Sequence, residues 1–288
     1  MVNDTPDPSG PDEGRALDLF DRPASEITDP EAAAATLREA AAAGRLAGAY
    51  LAGLTLEGAD LGGLDLARCD LRGARLAGAC LEGASFALAD LRGADLSRIR
   101  AEGLDLSGAR LAAARLELAV APGAVLDEVR AEGALCDGAY LPGASARGAR
   151  FADARFDDAT LTEVRFQEAV LEGCRLHRAD LTRAVFEGLR GREIDLAEAF
   201  LGNAEFTRCD LEESSFASAD LAEATFAECN LVGAGFREAL VHEAHFTKCR
   251  LERADFRATR ITRDRFGNCE MEGVILPAGP AGSAPAST

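Results

Sequence analysis

The sequence is poor in the residues and motifs on which most enzymes depend. Its 288 residues include no tryptophan, only three histidines and one lysine, and neither G-x-S-x-G, H-E-x-x-H nor a glycine-rich phosphate-binding loop occurs. Acidic side chains are abundant, but nothing pairs them with a base, a nucleophile or a metal ligand in a recognisable spacing. We therefore predict a protein that is not an enzyme, with no catalytic, cofactor-binding or metal-binding residues.

Membrane and secretion signals are also missing. No stretch approaches 18 consecutive apolar residues, and the N-terminus is acidic with no apolar segment of the signal-peptide kind. The eight cysteines are spread singly, with no C-x-x-C pair. These observations predict no membrane association and a cytoplasmic location in which the thiols stay reduced.

Basic residues are outnumbered by acidic ones, 31 to 49, for a formal net charge of −18. Direct, nonspecific binding to nucleic acid requires a cationic surface, so we do not expect it. A partner attracted by electrostatics would instead present a basic surface.

What the sequence does contain is a five-residue repeat. Every fifth residue from Leu51 to Leu276 gives 46 positions, of which 25 are Leu and 12 are Phe, with no shift of frame. Two residues earlier in each unit, 28 of 46 positions are Ala and six are Cys. This period fits neither a helix nor a simple strand. It predicts a chain that turns a corner every five residues, with one large and one small side chain pointing inward.

Units such as Ala59-Asp60-Leu61, Ala89-Asp90-Leu91 and Ala219-Asp220-Leu221 resemble the pentapeptide repeat family. The resemblance covers residues 47–276. It implies an all-β solenoid, a right-handed, four-sided parallel β-helix of about 11–12 coils, with four units per coil.

Residues 20 apart support that number of units, because stacked positions share their character. Cys209, Cys229, Cys249 and Cys269 form one column at the small inward position. We interpret them as buried hydrophobes rather than a metal or redox site. Phe occupies two columns at the large position, 166–266 and 216–256, which predicts two aromatic ladders.

Corner residues change character along the chain. Gly is frequent at the second outward position before residue 150, and Pro122-Gly123 and Pro142-Gly143 suit a type II turn. Later, Asp, Glu, Arg or Asn mostly takes this position. We expect type II corners in the first half and more type I-like corners in the second.

The ends of the chain differ from the repeat. We predict an acidic disordered tail at 1–28, a short capping α-helix at 29–45, the β-helix at 46–276 and a disordered tail at 277–288. Asp29 suits the N-cap position and Pro30 the first helical position. Within the first tail, Ala16-Leu17-Asp18-Leu19-Phe20 is a candidate docking motif, with a solvated tail as the alternative. The last coil lacks a cap and must be covered by its own Arg-rich surface or by another molecule.

The weakest part of the predicted core is residues 119–150, where central positions that usually hold Leu or Phe are occupied by Ala121, Ala131, Cys136 and Ala146. We expect Leu135 or Tyr140 to shift inward, or the coil to narrow. A second local defect is Gly191. The three histidines, at 177, 242 and 245, are all expected to face outward.

Charge along the predicted rod is uneven, and its most acidic part, residues 187–243, is the candidate interaction surface. This acidic belt holds 13 acids against four bases. The residues of the acidic belt are Glu187, Glu193, Asp195, Glu198, Glu205, Asp210, Glu212, Glu213, Asp220, Glu223, Glu228, Glu238 and Glu243. A candidate Arg column, one residue per coil, comprises Arg110, Arg130 and Arg150.

Two functions remain open on these grounds. The first is a protein–protein interaction scaffold or adaptor in the bacterial cytosol. Under this hypothesis the protein could be associated with a secretion or effector system. The second, implied by the family resemblance, is a mimic of DNA that binds DNA gyrase or another type II topoisomerase and confers inhibition of the enzyme or resistance to its poisons. The expected partner is another protein, a topoisomerase or an unidentified protein with a basic surface, and a homodimer through the C-terminal coil is a further possibility.

Overall fold

The computed structural model describes residues 26–277, so most of both predicted tails lies outside the described residues. An α-helix, α1, spans Pro30–Ala42. The Asp29 carboxylate caps it by accepting hydrogen bonds from the N–H groups of Glu31 and Ala32 at 3.1 and 3.2 Å. These bonds satisfy donors that have no partner within the helix. The buried face of α1 joins the same hydrophobic core as the first coil, which confirms the predicted N-terminal helix.

The rest of the described chain is a parallel solenoid in which residues 20 apart are paired. The pairing begins at Tyr50 with Asp70 and ends at Asp255 with Ile275. Residues 51–276 therefore make about 11 coils, as four units per coil predict. On one side the pairing is continuous enough to form a six-stranded parallel sheet in sequential order. Its strands are β1 (Arg165–Gln167), β2 (Val185–Glu187), β3 (Glu205–Thr207), β4 (Thr225–Ala227), β5 (His245–Thr247) and β6 (Phe266–Gly267).

Each five-residue unit satisfies its backbone donors in a fixed way. The N–H groups of Leu61 and Gly63 donate to carbonyls one coil further on, at 2.8 and 2.9 Å, and that of Leu64 donates across the corner to Leu61 at 3.1 Å. The N–H of Gly62 is left over, and the Asp60 carboxylate accepts it at 3.0 Å. Asp before the central Leu thus supplies an acceptor that the backbone ladder lacks.

The two corner prolines fit the same scheme. Pro122 and Pro142 occupy the position of the left-over N–H, and the residues two before them, Val120 and Tyr140, lack the short carboxylate that accepts it elsewhere. Proline removes the donor altogether. No unsatisfied N–H arises at these corners.

The third residue of the corner has positive φ along the rod, from Gly53 at 73° to Gly273 at 70°, except at Arg263 in the 3₁₀ turn. Glu163 and Glu223, in the second half, have φ of 58° and 59°. The prediction of type I-like corners after residue 150 is therefore wrong. The N–H of this residue must point along the rod toward the next coil, so the ladder imposes positive φ even on residues for which it costs about 1–2 kcal/mol.

The Cys column lies at corners that lack the usual bond across the turn. At the corner after Phe186, for example, the described residues show no N–H donated across the turn to the Phe186 carbonyl. The Cys209 thiol donates to this carbonyl instead, at 3.3 Å, and Cys229 and Cys249 repeat the contact one and two coils on. The column is buried except for half-buried Cys269. Its thiols are structural, as predicted, with the added role of weak hydrogen-bond donors.

The two predicted Phe ladders are confirmed. In the longer one, Phe186 and Phe206 stack with ring centroids 4.4 Å apart and planes 3° from parallel. The shorter ladder stacks equally closely, with 4.5 Å between Phe236 and Phe256. The ladders meet edge to face, as at Phe226 and Phe236, where the planes are 90° apart. Such contacts add about 0.5–1.5 kcal/mol per pair beyond burial.

Residues 119–150 form a core of small side chains around an apolar cavity of about 10 Å³. Leu135 is only half-buried and Tyr140 is 45% exposed, so the expectation that either turns inward is wrong. Both hold ladder positions on the outer side of a strand, and turning inward would break that ladder. Coil narrowing stays a prediction.

The Gly191 defect is repaired locally. A Cβ at Gly191 would lie 2.2 Å from Cδ1 of Ile194, so Ile194 fills the space that a central side chain would take. The buried Ser214 hydroxyl accepts from the Ile194 N–H at 3.2 Å and donates to the Gly191 carbonyl at 3.0 Å. One hydroxyl thereby replaces the missing hydrogen bond across this corner.

Candidate interaction surface

The interior of the rod offers no room for chemistry. The apolar cavity between residues 99 and 156 has about the volume of a single water molecule and no polar lining atom to hold one. Within residues 26–277, no group of three or more His, Cys, Asp or Glu is placed to hold a metal ion. No helix in this range is long and apolar enough to cross a membrane. A functional site must therefore be sought on the outer surface.

The acidic belt surrounds the rod and does not form one face. Its carboxylates occupy strand positions such as Glu205 and Asp210, which lie on adjacent sides of the square, and corner positions such as Glu193 and Glu198. The structure thus brings the predicted residues to one level of the rod without gathering them into a single patch.

Part of the belt is neutralised by neighbouring coils. Arg192 pairs with Glu212 at 3.0 Å, and Lys248 with Glu228 at 3.2 Å. Further pairs join Arg208 to Glu187 and Arg265 to Glu243, and the His177 ring lies 3.9 Å from the Glu198 carboxylate. Solvent screens these exposed pairs, so they contribute little to stability. Five belt carboxylates, by contrast, make no side-chain hydrogen bond or ion pair with any described residue: Glu193, Glu205, Glu213, Glu223 and Glu238.

The Arg column lies on one side of the rod, in ladder register at Arg110, Arg130 and Arg150. Arg110 pairs with Asp90 at 3.5 Å and Arg150 with Glu132 at 3.0 Å. No described residue pairs with Arg130. The column is therefore a mostly compensated stripe and not a concentrated cationic site.

One side of the rod carries a stripe of exposed apolar side chains, which the distribution of charge along the sequence does not reveal. We define face A as the side of the square whose outward strand positions are every twentieth residue from 60 to 260. Large apolar side chains recur there, with Tyr140 45%, Phe200 53% and Leu240 62% exposed, and Val120 also on face A. Around Phe200 and Leu240 the corners carry the acidic side chains of Glu223 and Glu238. The arrangement combines exposed apolar surface with unneutralised carboxylates.

Face A ends in an opened coil. Leu240 is paired to Asp220 in the coil before it, but not to Arg260 in the coil after it. Three groups lose the backbone bonds that their equivalents make in the preceding coil: the Ala239 carbonyl and the N–H groups of Val241 and Glu243 have no backbone partner among the described residues. A groove of about 760 Å³ separates residues 238–243 from residues 258–265. Pairing resumes at Phe246 with Phe266.

The opening has a cause in the sequence. Asp264 stands at the small inward position, where a carboxylate would have to be buried without a partner. It lies on the surface instead, 74% exposed, on a short 3₁₀ turn at Arg263–Arg265. Arg265 reaches back to Glu243 at 2.7 Å, and its hydrogen bond lowers the pKa of that carboxyl. A charged residue in the inward register was the signal for this break.

The three histidines lie on the outside, with His242 and His245 exposed and His177 half-buried. His242 lines the groove, and His245 lies 3.1 Å from an Arg265 nitrogen. The groove holds an equal number of lining carboxylates and guanidinium groups, Glu238 and Glu243 against Arg260 and Arg265.

Family models support the reading of the repeat. A model of pentapeptide repeats matches residues 49–87, 84–120, 124–162 and 159–190, and a model of a pentapeptide repeat region matches residues 199–276. No curated protein matches the chain.

Solved structures include similar chains. HetL, a pentapeptide repeat protein involved in heterocyst differentiation regulation in the cyanobacterium Nostoc sp. strain PCC 7120, is 26% identical over 85% of this chain and 98% of its own, with a TM-score of 0.31. Full-length QnrB1, a plasmid-mediated fluoroquinolone resistance protein, is 20% identical over 75% of this chain and 91% of its own, with a TM-score of 0.30.

Proposed function

We propose that this chain, which belongs to the pentapeptide repeat family, acts as a non-enzymatic protein-interaction scaffold or adaptor in the bacterial cytosol. The observation that carries the proposal is the apolar stripe of face A beside unneutralised carboxylates. Exposed Phe200 and Leu240 provide contact area, and Glu223 and Glu238 provide the charge that selects a basic partner. An association with secretion or effector systems remains part of this proposal.

The packing of the interior also supports a function on the outer surface. All the inward side chains of a regular coil are used for packing, and the apolar cavity has no polar group to orient a substrate. All eight cysteines are free, and six of them are buried, which suits a reducing compartment. What remains available for function is a rigid outer surface.

The test is capture of partners by the full chain, followed by reconstitution with each purified partner. Wild type is compared with Phe200→Asp, which removes apolar contact area on face A, and with Arg130→Asp on another side of the rod as the matched control. We expect Phe200→Asp to weaken binding about tenfold or more, since a large buried apolar side chain contributes about 1.5–3 kcal/mol. Equal binding by both variants, or no reconstituted complex with any partner, would contradict the proposal.

The second candidate function is mimicry of DNA toward a type II topoisomerase such as DNA gyrase. The observation in its favour is the acidic belt, with a net charge of −9 from 13 acids and four bases, and its five unneutralised carboxylates. Exposed Phe200 and Leu240 and the Arg column have no counterpart in a phosphate backbone, which is why we rank it second.

Purified gyrase distinguishes the two functions. A DNA mimic should bind gyrase and inhibit supercoiling, or protect the enzyme from a quinolone, at micromolar concentration. A variant with Glu205, Glu213 and Glu223 changed to Gln should lose this effect, whereas Phe200→Asp should keep it. Absence of binding, inhibition and protection by the wild-type chain would rule out this candidate.

A homodimer through the C-terminal coil is also proposed. Ile275 is 43% exposed at the last described coil, and no later coil among the described residues covers its backbone edge. Light scattering with Ile275→Asp against wild type tests it, because a dimer through this coil should dissociate and a monomer should be unaffected.

A further inference from the structure

We propose that the groove of the opened coil binds the Leu17-Asp18-Leu19 segment of a second copy of this chain as an added strand. The inference concerns self-association and does not depend on the identity of any other partner. It joins two features that the scaffold function leaves unused, the broken ladder after Leu240 and the candidate docking motif at residues 16–20.

The first argument is the set of open backbone groups. In the preceding coil the N–H of Leu221 donates to the Leu240 carbonyl at 2.8 Å, and that of Leu240 to the Ala219 carbonyl at 2.9 Å. The equivalent groups facing the groove, the Ala239 carbonyl and the N–H groups of Val241 and Glu243, are the ones without a backbone partner among residues 26–277. An extended segment lying parallel to residues 239–243 completes these three bonds, in the manner of strand addition to a sheet edge.

The second argument is the sequence of the segment. Leu17-Asp18-Leu19 has the same three residues as Leu64-Asp65-Leu66 and Leu104-Asp105-Leu106, two units of this solenoid. In those units both Leu side chains are buried and the Asp carboxylate accepts the N–H two residues further on. Leu17-Asp18-Leu19 lies outside the repeat frame, yet it has the composition of a unit that fits the inward and outward positions of a coil.

Charge around the groove agrees with this register. With Leu17 against Ala239 and Leu19 against Val241 and Ile261, Asp18 lies opposite Leu240 and faces the wall that carries Arg260. Neither Glu238 nor Arg260 makes a side-chain hydrogen bond or ion pair with a described residue. Elsewhere the solenoid pairs corner charges one coil apart, as in Arg178 with Asp158. The segment thus supplies a carboxylate for Arg260.

The donor must be a second copy, because the segment cannot reach the groove of its own chain. The first coil begins near residue 50 and the groove is at residue 240, a separation of about 45 Å at about 4.8 Å per coil. The seven Cα–Cα steps from Leu19 to Glu26 span about 25 Å at most. The contact therefore joins the N-terminal end of one rod to the C-terminal end of the next, a head-to-tail arrangement that can continue.

The first experiment measures the mass of the full chain by light scattering over increasing protein concentration. We expect wild type to exceed the monomer mass as concentration rises, and Leu17→Asp/Leu19→Asp to remain monomeric. A fluorescein-labelled synthetic peptide of residues 13–22 should bind that monomeric variant, and the same peptide carrying Leu19→Asp should bind about tenfold more weakly or worse. A wild-type mass that is independent of concentration, together with no peptide binding, would overturn the inference.

A second variant tests the groove itself. Asp264→Ala places the preferred small residue at the inward position, so residues 259–264 should close onto residues 239–243 and fill the groove. Hydrogen exchange should then show slower exchange of the Val241 and Glu243 amides without any peptide, and peptide binding should be lost. Asp264→Asn, which keeps a polar side chain, is the matched control and should stay open. Undiminished peptide binding by Asp264→Ala would place the site elsewhere.

The outcomes separate this inference from the other proposals. Association that persists in Leu17→Asp/Leu19→Asp and disappears in Ile275→Asp identifies the C-terminal homodimer and overturns the strand addition. A chain that captures partners without self-associating supports the scaffold function and contradicts the inference. A chain that self-associates through the groove but binds no other protein leaves the inference intact and removes the scaffold function.

Discussion

Residues 119–150 and residues 166–266 are built on the same 20-residue ladder register and have different interiors. Both use parallel pairing every 20 residues and corners with positive φ. The first stretch has small central residues such as Ala121 and Ala131 around a cavity of about 10 Å³, and the second has two stacked Phe ladders. The comparison shows that the ladder register is kept with small and with large central side chains. The central side chains then determine how much packing energy each coil gains.

The largest expected effect is the loss of a ring from the longer ladder. Phe226 stacks on Phe206 and Phe246 and meets Phe216 and Phe236 edge to face. Phe226→Ala should lower the free energy of unfolding by about 3–5 kcal/mol, measured by urea denaturation.

The matched change in the other stretch is Leu126→Ala, which lines the apolar cavity among smaller neighbours. Its cost should be smaller, because fewer packing contacts are lost around it. Equal costs for Phe226→Ala and Leu126→Ala would mean that the two interiors are packed equally well.

The next effect comes from adding volume to the small-residue core. Ala131 is fully buried and lines the cavity, which is too small for three additional carbon atoms. Ala131→Leu should therefore lower the free energy of unfolding by about 1–3 kcal/mol. Ala131→Gly serves as the control for backbone effects. A stabilised Ala131→Leu protein would show that this stretch is loosely packed, contrary to the comparison.

A hydroxyl within the Phe-rich part gives a smaller effect. Ser214→Ala leaves the Ile194 N–H and the Gly191 carbonyl without their bridging partner, at a cost of about 1–3 kcal/mol. Ser214→Cys should recover part of this, because cysteine at the equivalent position already donates to a carbonyl, as Cys209 does to Phe186. Thermal unfolding of wild type, Ser214→Ala and Ser214→Cys measures their relative stabilities. A Ser214→Ala protein as stable as wild type would show that water replaces the hydroxyl.

The smallest effect concerns the corners. Asp153 has φ of 59°, in the region that glycine adopts without strain. Asp153→Gly should raise the unfolding free energy by about 0.5–1 kcal/mol, whereas Asp153→Val should lower it by about 1–2 kcal/mol. Urea midpoints measure both. If Asp153→Gly is destabilising, chain entropy outweighs the strain, and the glycines of the first half cannot be explained by their φ.

Several parts of the molecule were predictable because the repeat fixes them residue by residue. The inward Leu and Phe, the buried Cys column and the helix that starts after Asp29 follow from position and residue type alone. The type of corner after residue 150 did not follow, because local preference at Glu163 favours negative φ and the interstrand N–H bond overrides it. Likewise Tyr140 stays outside because its strand is paired on both sides, which local hydrophobicity does not reveal.

The candidate surface was less predictable for a geometric reason. The sequence identified the acidic belt as a run of residues, but whether a carboxylate is neutralised depends on the side chain one coil away, as for Glu228 with Lys248. Face A emerges when Phe200 and Leu240 are placed 40 residues apart on the same side.

The sequence by itself determined the solenoid, its number of coils and the contents of its core. These follow from a repeat in which every fifth residue meets the same environment. Only the tertiary structure decided which charges remain free, which apolar side chains line face A, and that the coil containing Asp264 opens into a groove. Those properties depend on contacts between residues 18 to 23 positions apart, where side-chain length and burial decide the outcome and the repeat pattern does not.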